Sequence, residues 1–412
     1  MLAVNFPLVP ISALRVSICK PRKKETMQEM KEAKPGGGAT MQRSESVQRL
    51  KEKKVMDLMV EKKRLVEVPY TASLAHTMNT LVANKAVAVP VAAPPGQWIG
   101  AGGSMIVESD KHTGEVRKHF IGMVTMLDIV AHIAGDDHLS GGRDITQDLD
   151  QRMSDPVSSI IGHSFEGLSL WTLNPNTSLL DCMEVFSKGV HHAMVPVESQ
   201  VASVAAGVEL VESASSYQML TQMDVLNFLN DRAGEPHNIL SRSVQDLGGD
   251  TQQIYAITDC TKLVDAIKCL KAAMLNAVPI VRVSDACEDD HKQLINGRCR
   301  KLVGTFSATD LRGCHLSTLK SWLGVSALAF TEEVASSLLF TESDTQNRAS
   351  ARRELVTCYA ESPLSEVIEK AVTMHVHRVW VVDHQGLLSG VVSLTDVIRV
   401  MRHSLLSDSD DL

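Results

Sequence analysis

Four short motifs in the chain each place a Ser or Thr three residues before an Asp. The last of them is "SGVVSLTD", in which Ser393 precedes Asp396. A carboxylate in the first turn of a helix can accept hydrogen bonds from both hydroxyls of a ribose. The neighbouring hydroxyl and backbone N–H groups can meet phosphate oxygens at the positive end of that helix. The four pairs are Thr125 with Asp128, Thr221 with Asp224, Ser307 with Asp310, and Ser393 with Asp396.

The same motif has a second interpretation, which is helix capping. In a capping box the hydroxyl accepts from a backbone N–H of the first turn, and the acid three residues later bonds back to the backbone. The acid also favours the positive end of the helix. The residue types therefore fit either a nucleotide site or a cap, and one copy does not decide between them.

The motif recurs at regular intervals. Its acids stand at positions 128, 224, 310 and 396, so the steps are 96, 86 and 86 residues. Such steps are longer than those of solenoid repeats, which span roughly 20–50 residues. The spacing predicts a small module that is used four times.

The sequence around each motif predicts the elements that position it. Upstream lies a segment whose apolar residues recur every three or four positions, as one buried helix face requires. A short β-branched run follows, often with a proline, which is typical of a strand edge or a strand start. A second strand then leads into the motif, so each unit is predicted to be β-α-β-β-α. The helical segments are "SLAHTMNTLVANK", "SLLDCMEVFSK", "KLVDAIKCLKA" and "LSEVIEKAVTMH".

This element order, with the ending glycine–apolar–x–Ser/Thr–x–x–Asp, resembles the cystathionine β-synthase (CBS) domain over about residues 55–403. The segments "VMDLM" (55–59) and "VQDL" (244–247) are similar to the lead-in of such domains. Four copies, with "VHRVWVVD" (376–383) in the last, resemble the gamma-type regulatory subunits of the AMP-activated and sucrose-non-fermenting-related kinase family. The first copy, interrupted by "VPVAAPPGQWIGAGG", is most similar to the plant gamma-like branch.

The resemblance implies an α/β fold in which four CBS repeats pair into two modules with pseudo-twofold symmetry. In the family two repeats pair through their sheets, so the modules are expected at about 55–235 and 240–405. The expected segments are a flexible basic arm (1–54), repeat one (55–135), repeat two (150–232), repeat three (240–316) and repeat four (350–403).

The resemblance also implies an adenosine-nucleotide site in the cleft between paired repeats. The carboxylates are the candidates for holding the ribose, and the motif hydroxyls lie beside them. The candidate residues are Asp128, Asp224, Asp310 and Asp396, with Thr125, Thr221, Ser307 and Ser393.

Nucleotide-binding members of the family place His-Arg ahead of the second strand, for the phosphate. Repeat four keeps this pair as His377 and Arg378. When the repeats are aligned on their prolines, this pair is missing from the other three. Helix capping is therefore better supported as the interpretation of the motif in those repeats than in repeat four. In that alignment the residues are Val87-Ala88, Ala193-Met194 and Asn276-Ala277, while His191 and His192 fall out of register and Lys85 is only a loose candidate.

Composition bounds the class of protein. A chain of 412 residues is too long for one core, and 44% hydrophobic with only 4% aromatic residues predicts an aliphatic interior. No apolar run approaches the roughly 18 residues of a membrane span, so no membrane is expected as a partner. Eight scattered cysteines without a secretory leader favour a cytoplasmic or nuclear protein with reduced thiols.

Charge is unevenly distributed along the chain. Residues 1–54 hold 12 Lys/Arg and 5 Asp/Glu, a net of +7, which leaves −15 for the remainder of the overall −8. This segment has no apolar core pattern and a Gly-rich break, and is interpreted as a flexible arm. An organelle transit peptide is the alternative, whereas nucleic acid is not expected because no binding module accompanies the charge. The acidic end "SDSDDL" offers Ser407 and Ser409 to phosphorylation.

No set of residues in the chain predicts catalysis. Nucleophile elbow, Walker loop and kinase signatures are missing, and so is a Cys-x-x-Cys pair. The glycine-rich "GAGGSM" (100–105) opens no helix and is interpreted as flexible backbone. Cys287, His291 and Cys299 share one insertion, but their spacing matches no compact zinc motif, and no metal is expected.

We therefore expect a non-catalytic regulatory subunit that binds a kinase catalytic alpha subunit and a beta-type subunit. No cofactor is required, and an adenine nucleotide (AMP, ADP or ATP) is the expected regulatory ligand. The alternative is a stand-alone adenylate-binding CBS module that regulates a non-kinase enzyme or a transporter. The stretch "HLSTLKSWLGVSALAF" (315–330) is either a partner-binding helix or a helix packed between repeats.

Overall fold

Helices alternate with short strands along the chain, which confirms the predicted α/β fold class. The computed structural model describes residues 48–93, 119–134, 151–161, 170–197, 216–231, 238–248, 253–283, 290–336 and 355–406. The glycine-rich segment 100–105, the acidic tail and most of the basic arm lie outside the described residues. Leu50, at the end of the predicted arm, is buried, and the carbonyl of Lys53 accepts from the N–H of Leu179 at 2.8 Å.

The described elements fall into four units that follow the repeats. Repeat one contains β1 (Val68–Pro69), α1 (Leu74–Ala83), β2 (Ala88–Ala92), β3 (Phe120–Thr125) and α2 (Met126–Ala134). Repeat two contains α3 (Leu179–Ser187), β4 (His192–Pro196), β5 (Tyr217–Thr221) and α4 (Gln222–Asn230). Repeat three contains β6 (Tyr255–Thr258), α5 (Leu263–Ala272), β7 (Ala277–Val281), β8 (Ile295–Asn296) and β9 (Leu302–Ser307). Then come α6 (Leu316–Trp322), α7 (Ala327–Ser336), β10 (Thr357–Cys358), α8 (Leu364–Thr373), β11 (Arg378–Val382), β12 (Leu388–Ser393) and α9 (Leu394–Leu406).

The first helix of each repeat lies within the helical segment that the sequence predicts, and a serine caps two of the four. Ser73 caps α1 by accepting from the N–H of His76 at 3.1 Å, and Ser178 caps α3 in the same way. The buried face of α8 consists of residues three and four apart. These residues are Leu364, Val367, Ile368 and Ala371.

A residue in the left-handed conformation follows each of these helices, three positions before the next strand begins. Repeat two uses Gly189 there, at φ +96°, the conformation that glycine adopts without strain. The other three repeats place a side chain in this conformation, at Lys85, Met274 and His375, with φ between 48° and 51°. The turn therefore has the same shape in all four repeats and brings the chain to the start of the next strand.

The two longer strands of each repeat pair antiparallel, and the short first strand of repeats one, three and four adds to them in parallel. Pro90 and Pro279 lie in the middle of β2 and β7, not at a strand edge or start as the sequence suggested. The sheet tolerates them because the parallel ladder begins only one residue later, at Val91 and Ile280.

Short backbone bridges show which repeats pair. Ser73 of repeat one bridges Pro156 in the lead-in to repeat two, and Lys54 in the lead-in to repeat one bridges Ser178 of repeat two. Repeats three and four are joined in the same way, since Ser243 in the lead-in to repeat three bridges Pro363 at the helix start of repeat four. Each lead-in therefore closes the helix start of the neighbouring repeat.

The largest apolar clusters cross between the two pairs. One joins repeats one and three, where α2 packs on α5, and the other joins repeats two and four, where α9 packs on α3 and α8 on α4. Smaller clusters lie between the sheets of paired repeats, around Trp380 in one pair and Tyr217 in the other. Sheets hold each pair together, and helices hold the two pairs to each other. No helix among the described residues is long and apolar enough to cross a membrane.

Repeat three departs from the predicted β-α-β-β-α order. Its motif opens a short 3-10 turn, Ala308–Leu311, in place of an α-helix, and α6 and α7 follow. Leu319 of α6 and Phe330 of α7 are buried in the cluster shared by repeats one and three. The stretch 315–330 therefore forms two helices that pack one face between repeats one and three, as its second interpretation predicted, while its other face is exposed.

Candidate functional site

The four repeats meet around one cavity of about 180 Å³. This volume has room for several water molecules or a small polar group. Every repeat contributes to its wall, at the turn before its longer strands and at its hydroxyl–acid motif. The polar and charged lining residues are Thr125, His191, His192, Gln222, Asn276, Thr305, Ser307, Thr309, Thr331, Glu332, His375, His377, Arg378, Ser393 and Thr395.

The motif of repeat four forms a complete capping box. The Ser393 hydroxyl donates to Asp396 Oδ2 at 2.6 Å, and the Ser393 backbone N–H donates to the same oxygen at 3.1 Å. In return the Asp396 N–H donates to the Ser393 hydroxyl at 3.2 Å. The second oxygen, Oδ1, pairs with Arg399 at 2.9 Å. Ser393 lines the cavity, whereas Asp396 lies behind it and is 8% exposed.

The other three motifs have the same geometry. Thr125 with Asp128, Thr221 with Asp224 and Ser307 with Asp310 each make the backbone and hydroxyl contacts of the box. In repeat two the remaining oxygen of Asp224 is held by Lys62 at 2.6 Å. Capping is thus present in all four copies, and the acids themselves do not line the cavity. The hydroxyls of Thr125, Ser307 and Ser393 do line it.

Strand pairing fixes which residues are equivalent to the cationic pair of repeat four. Arg378, the first residue of β11, pairs with Ser393 of the motif, and both line the cavity with His377. In repeat two the residue that pairs with Thr221 is His192. In repeats one and three the corresponding residues are Ala88, opposite Thr125, and Ala277, opposite Ser307.

The prediction that His191 and His192 are out of register was therefore wrong. The prolines misled the alignment, because Pro196 is the fifth residue of β4 while Pro90 and Pro279 are third in their strands. Repeat two keeps a His-His pair at the position of His-Arg, and both histidines line the cavity. The loss of a cationic pair is confirmed only for repeats one and three.

Buried hydrogen bonds connect the cavity wall across repeats. Gln222, which is 3% exposed, donates to the hydroxyl of Thr395 in repeat four at 2.8 Å and to two carbonyls of its own repeat. The indole N–H of Trp380 donates to the hydroxyl of Thr305 at 2.8 Å, joining repeats four and three. A polar group placed in the cavity would therefore meet a wall that several repeats hold in position.

Sequence reasoning did not single out seven of these polar lining residues, which are Gln222, Thr305, Thr309, Thr331, Glu332, His375 and Thr395. Gln222 and Thr395 directly follow the motif hydroxyls by one and two residues, so the motif pattern could have marked their neighbourhood. Glu332 lies on α7, which lies beyond the predicted end of repeat three, and no pattern in the sequence pointed to it.

The cysteines and the insertion of repeat three show no sign of metal chemistry. Burial raises the pKa of Cys182 and Cys358 to about 12, with Asp181 adding to the shift at Cys182. His291 Nδ1 lies 2.8 Å from the hydroxyl of buried Thr258, while Cys299 is exposed. Cys287 lies outside the described residues, among which no group of metal-binding side chains occurs.

Comparisons with known proteins agree with this architecture. The CBS domain family matches residues 350–403. The chain is 60% identical over 353 residues to an Arabidopsis thaliana protein named "SNF1-related protein kinase regulatory subunit gamma-like PV42a", covering 85% of this chain and 94% of that one. It is 56% identical over 368 residues to the Arabidopsis "PV42b" protein of the same name, covering 89% and 99%.

More distant relatives share the fold. The human "5'-AMP-activated protein kinase subunit gamma-3" is 23% identical over 236 residues, which is 56% of this chain and 40% of that protein. The crystal structure of MJ1225 from Methanocaldococcus jannaschii, titled a putative archaeal homolog of g-AMPK, superposes with a TM-score of 0.53 at 19% identity. That match covers 84% of this chain and 99% of the archaeal one, and at this identity it supports the fold alone.

Proposed function

Because this chain belongs to the family of SNF1-related protein kinase gamma-like regulatory subunits, we propose that it is the non-catalytic subunit of such a kinase complex. Its partners are a catalytic alpha subunit and a beta-type subunit. Its regulatory ligand is an adenine nucleotide, whose phosphate lies in the cavity where the four repeats meet and whose ribose lies at a motif carboxylate behind the cavity wall. The observation that carries the ligand proposal is the cavity itself, whose wall is built by all four repeats. Arg378 and Ser393 lie opposite each other on neighbouring strands, and both line this cavity.

Within this proposal the phosphate lies against Arg378, His377 and the Ser393 hydroxyl. A guanidinium and hydroxyls are the donors that suit phosphate oxygens, and the motif lies at the positive end of α9. The hydroxyls of Thr125 and Ser307 face the same space from repeats one and three. A single ligand there would touch side chains of both repeat pairs, so its binding favours one arrangement of the pairs over others.

The ribose is assigned to the motif carboxylates, of which Asp396 is the principal candidate. Its Oδ2 stays in the capping box, and its Oδ1 exchanges the Arg399 contact for a ribose hydroxyl. Asp224 would need the same exchange with Lys62. Ribose binding at these acids therefore competes with an ion pair, which limits the affinity of the site. Asp128, Asp310 and their hydroxyls remain secondary candidates.

Titration calorimetry of the full chain with AMP and adenosine tests the ligand proposal. Arg378→Ala deletes a charge-assisted contact and should lower the affinity for AMP by about 10- to 150-fold. The affinity for adenosine, which lacks phosphate, should be unchanged. Asp396→Ala should weaken both ligands, because both carry the diol. The matched control is Lys370→Ala, which removes a cation of repeat four that lies outside the cavity.

Two outcomes would contradict the ligand proposal. If the wild-type protein binds neither ligand at millimolar concentration, the proposed nucleotide site does not exist. Equal losses of AMP and adenosine in Arg378→Ala would show that the guanidinium does not hold phosphate.

Co-expression with an alpha and a beta-type subunit of an SNF1-related kinase tests the partner proposal. We expect a stoichiometric three-chain complex in size-exclusion chromatography. Elution of the chain alone, with the other two subunits associating without it, would refute the assignment.

A further inference from the structure

The helix α7 supplies part of the cavity wall, and no matching helix occurs among the described residues of the other repeats. Leu328, Thr331 and Glu332 line the cavity from positions i, i+3 and i+4, which share one face of a helix. Thr331 is buried, and Glu332 is exposed to solvent. Glu332 therefore lies where the cavity wall meets solvent.

Packing holds α7 in one position against repeat three. Phe330 is buried and meets Phe306 edge to face, with ring centroids 6.3 Å apart. Leu328 approaches β9 so closely that a Cβ added at Gly304 would lie 2.7 Å from its Cδ1. At the start of the helix, the Ala327 N–H donates to the Thr261 carbonyl at 2.8 Å. These contacts fix where Glu332 stands relative to the cavity.

Glu332 differs in charge from the rest of the cavity wall. Among the described lining residues Arg378 is the one guanidinium, four positions are histidine, and Glu332 is the one carboxylate. A phosphate group that Arg378 attracts is repelled by this carboxylate in the same space. The repulsion grows with each further phosphate, because each adds negative charge.

We propose that Glu332 determines which adenine nucleotide the cavity accepts, by selecting against ligands with more than one phosphate. The inference rests on the proposed function and adds the residue that sets the preference for AMP over ADP and ATP. Arg378 supplies the attraction that all three share, and Glu332 supplies a penalty that increases along the series. Selectivity of this kind depends on a repulsive element as well as an attractive one.

Calorimetry with Glu332→Gln tests the proposal, because glutamine keeps the shape and removes the charge. Full-length protein is titrated with adenosine, AMP, ADP and ATP in EDTA, so that no divalent cation neutralises the phosphates. We expect unchanged adenosine affinity, an increase of about threefold for AMP and on the order of tenfold or more for ATP. The gain should shrink in 1 M salt, where the Debye length is about 3 Å.

Glu333→Gln is the matched control, since Glu333 is the exposed neighbour on the same helix and does not line the cavity. It should change none of the four affinities. A graded gain in Glu332→Gln alone supports the proposal, as does ATP binding that appears only in Glu332→Gln.

Equal changes for adenosine and ATP, or no change for ATP, would overturn the proposal while leaving nucleotide binding intact. Failure of the wild type and of Glu332→Gln to bind any of the four ligands would overturn the proposed ligand as well. The two failures are therefore distinguishable in one set of titrations.

Discussion

The amide of Gln222 in repeat two donates to the hydroxyl of Thr395 in repeat four at 2.8 Å, across 173 positions of sequence. Both residues are buried, and both line the central cavity. The amide also donates to the carbonyl of Phe186, in the last turn of α3, and to that of Val190, in the turn that follows α3. One side chain thus connects the turn of its own repeat, the neighbouring repeat pair and the wall of the proposed site.

Gln222→Ala should lower the free energy of unfolding by about 1–3 kcal/mol, because it leaves buried hydrogen-bonding groups without their partner. Thr395→Val, which removes one hydroxyl and keeps the shape, should cost less. Urea denaturation of both single variants and the double variant measures the coupling between the two residues. If the two losses of unfolding free energy are strictly additive, the hydrogen bond between Gln222 and Thr395 contributes no interaction energy between the repeats.

Much of the fold could be predicted because short sequence patterns specify its helices and their starts. The buried face of α8 follows from apolar residues at helical spacing, and the starts of α2, α4 and α9 follow from a hydroxyl and an acid three residues apart. Contacts such as Gln222 with Thr395 have no local pattern, because each residue is an ordinary neighbour of its own motif.

The two misplaced site features have physical reasons. Aligning the repeats on their prolines places His192 out of register. The structure sets the register by which residues pair across the strands, and His192 pairs with Thr221. Comparison among the repeats does not point to Glu332, because α7 has no counterpart among the described residues of the other repeats.

Asp128→Ala should lower the free energy of unfolding by roughly 0.5–2 kcal/mol, the usual effect of a lost helix-start contact. The carboxylate accepts from both the N–H and the hydroxyl of Thr125, at 2.8 and 2.7 Å, and repeat one has Ala88 where repeat four has Arg378. AMP affinity should therefore hardly change. Thermal denaturation and calorimetry on the same sample separate the two effects, and a large loss of affinity at unchanged stability would assign Asp128 to the site.

The cysteines should react with an alkylating reagent in an order set by burial. Burial raises the pKa of Cys182 and Cys358 to about 12 and that of Cys314 to about 11, so these thiols are protonated at pH 8. Cys260 and Cys299 are exposed. Peptide mapping of native protein after brief iodoacetamide treatment should find label on the exposed pair first, and on the buried three only after unfolding. Early labelling of Cys182 would contradict the packing of α9 against α3.

The last prediction concerns His192, the residue that strand register places at the position of Arg378. Both residues are the first of their strand, both pair with the motif hydroxyl, and both line the cavity from different repeat pairs. If the cavity holds a phosphate, His192 contributes to its site from repeat two, in the other repeat pair. His192→Ala should then weaken AMP binding several-fold and leave adenosine binding unchanged. The loss should be smaller than that of Arg378→Ala, because an imidazole has fewer N–H donors than a guanidinium.

A matched control for His192 is His76→Ala, since His76 lies on α1 and does not line the cavity. Calorimetric titration of both variants with AMP and adenosine measures the difference, and circular dichroism melting checks that each variant is folded. The alignment on prolines would predict no role for His192, so unchanged AMP affinity in a folded His192→Ala would favour that alignment for function. Selective loss of AMP would instead show that two repeat pairs hold one ligand, because Arg378 and His192 belong to different pairs.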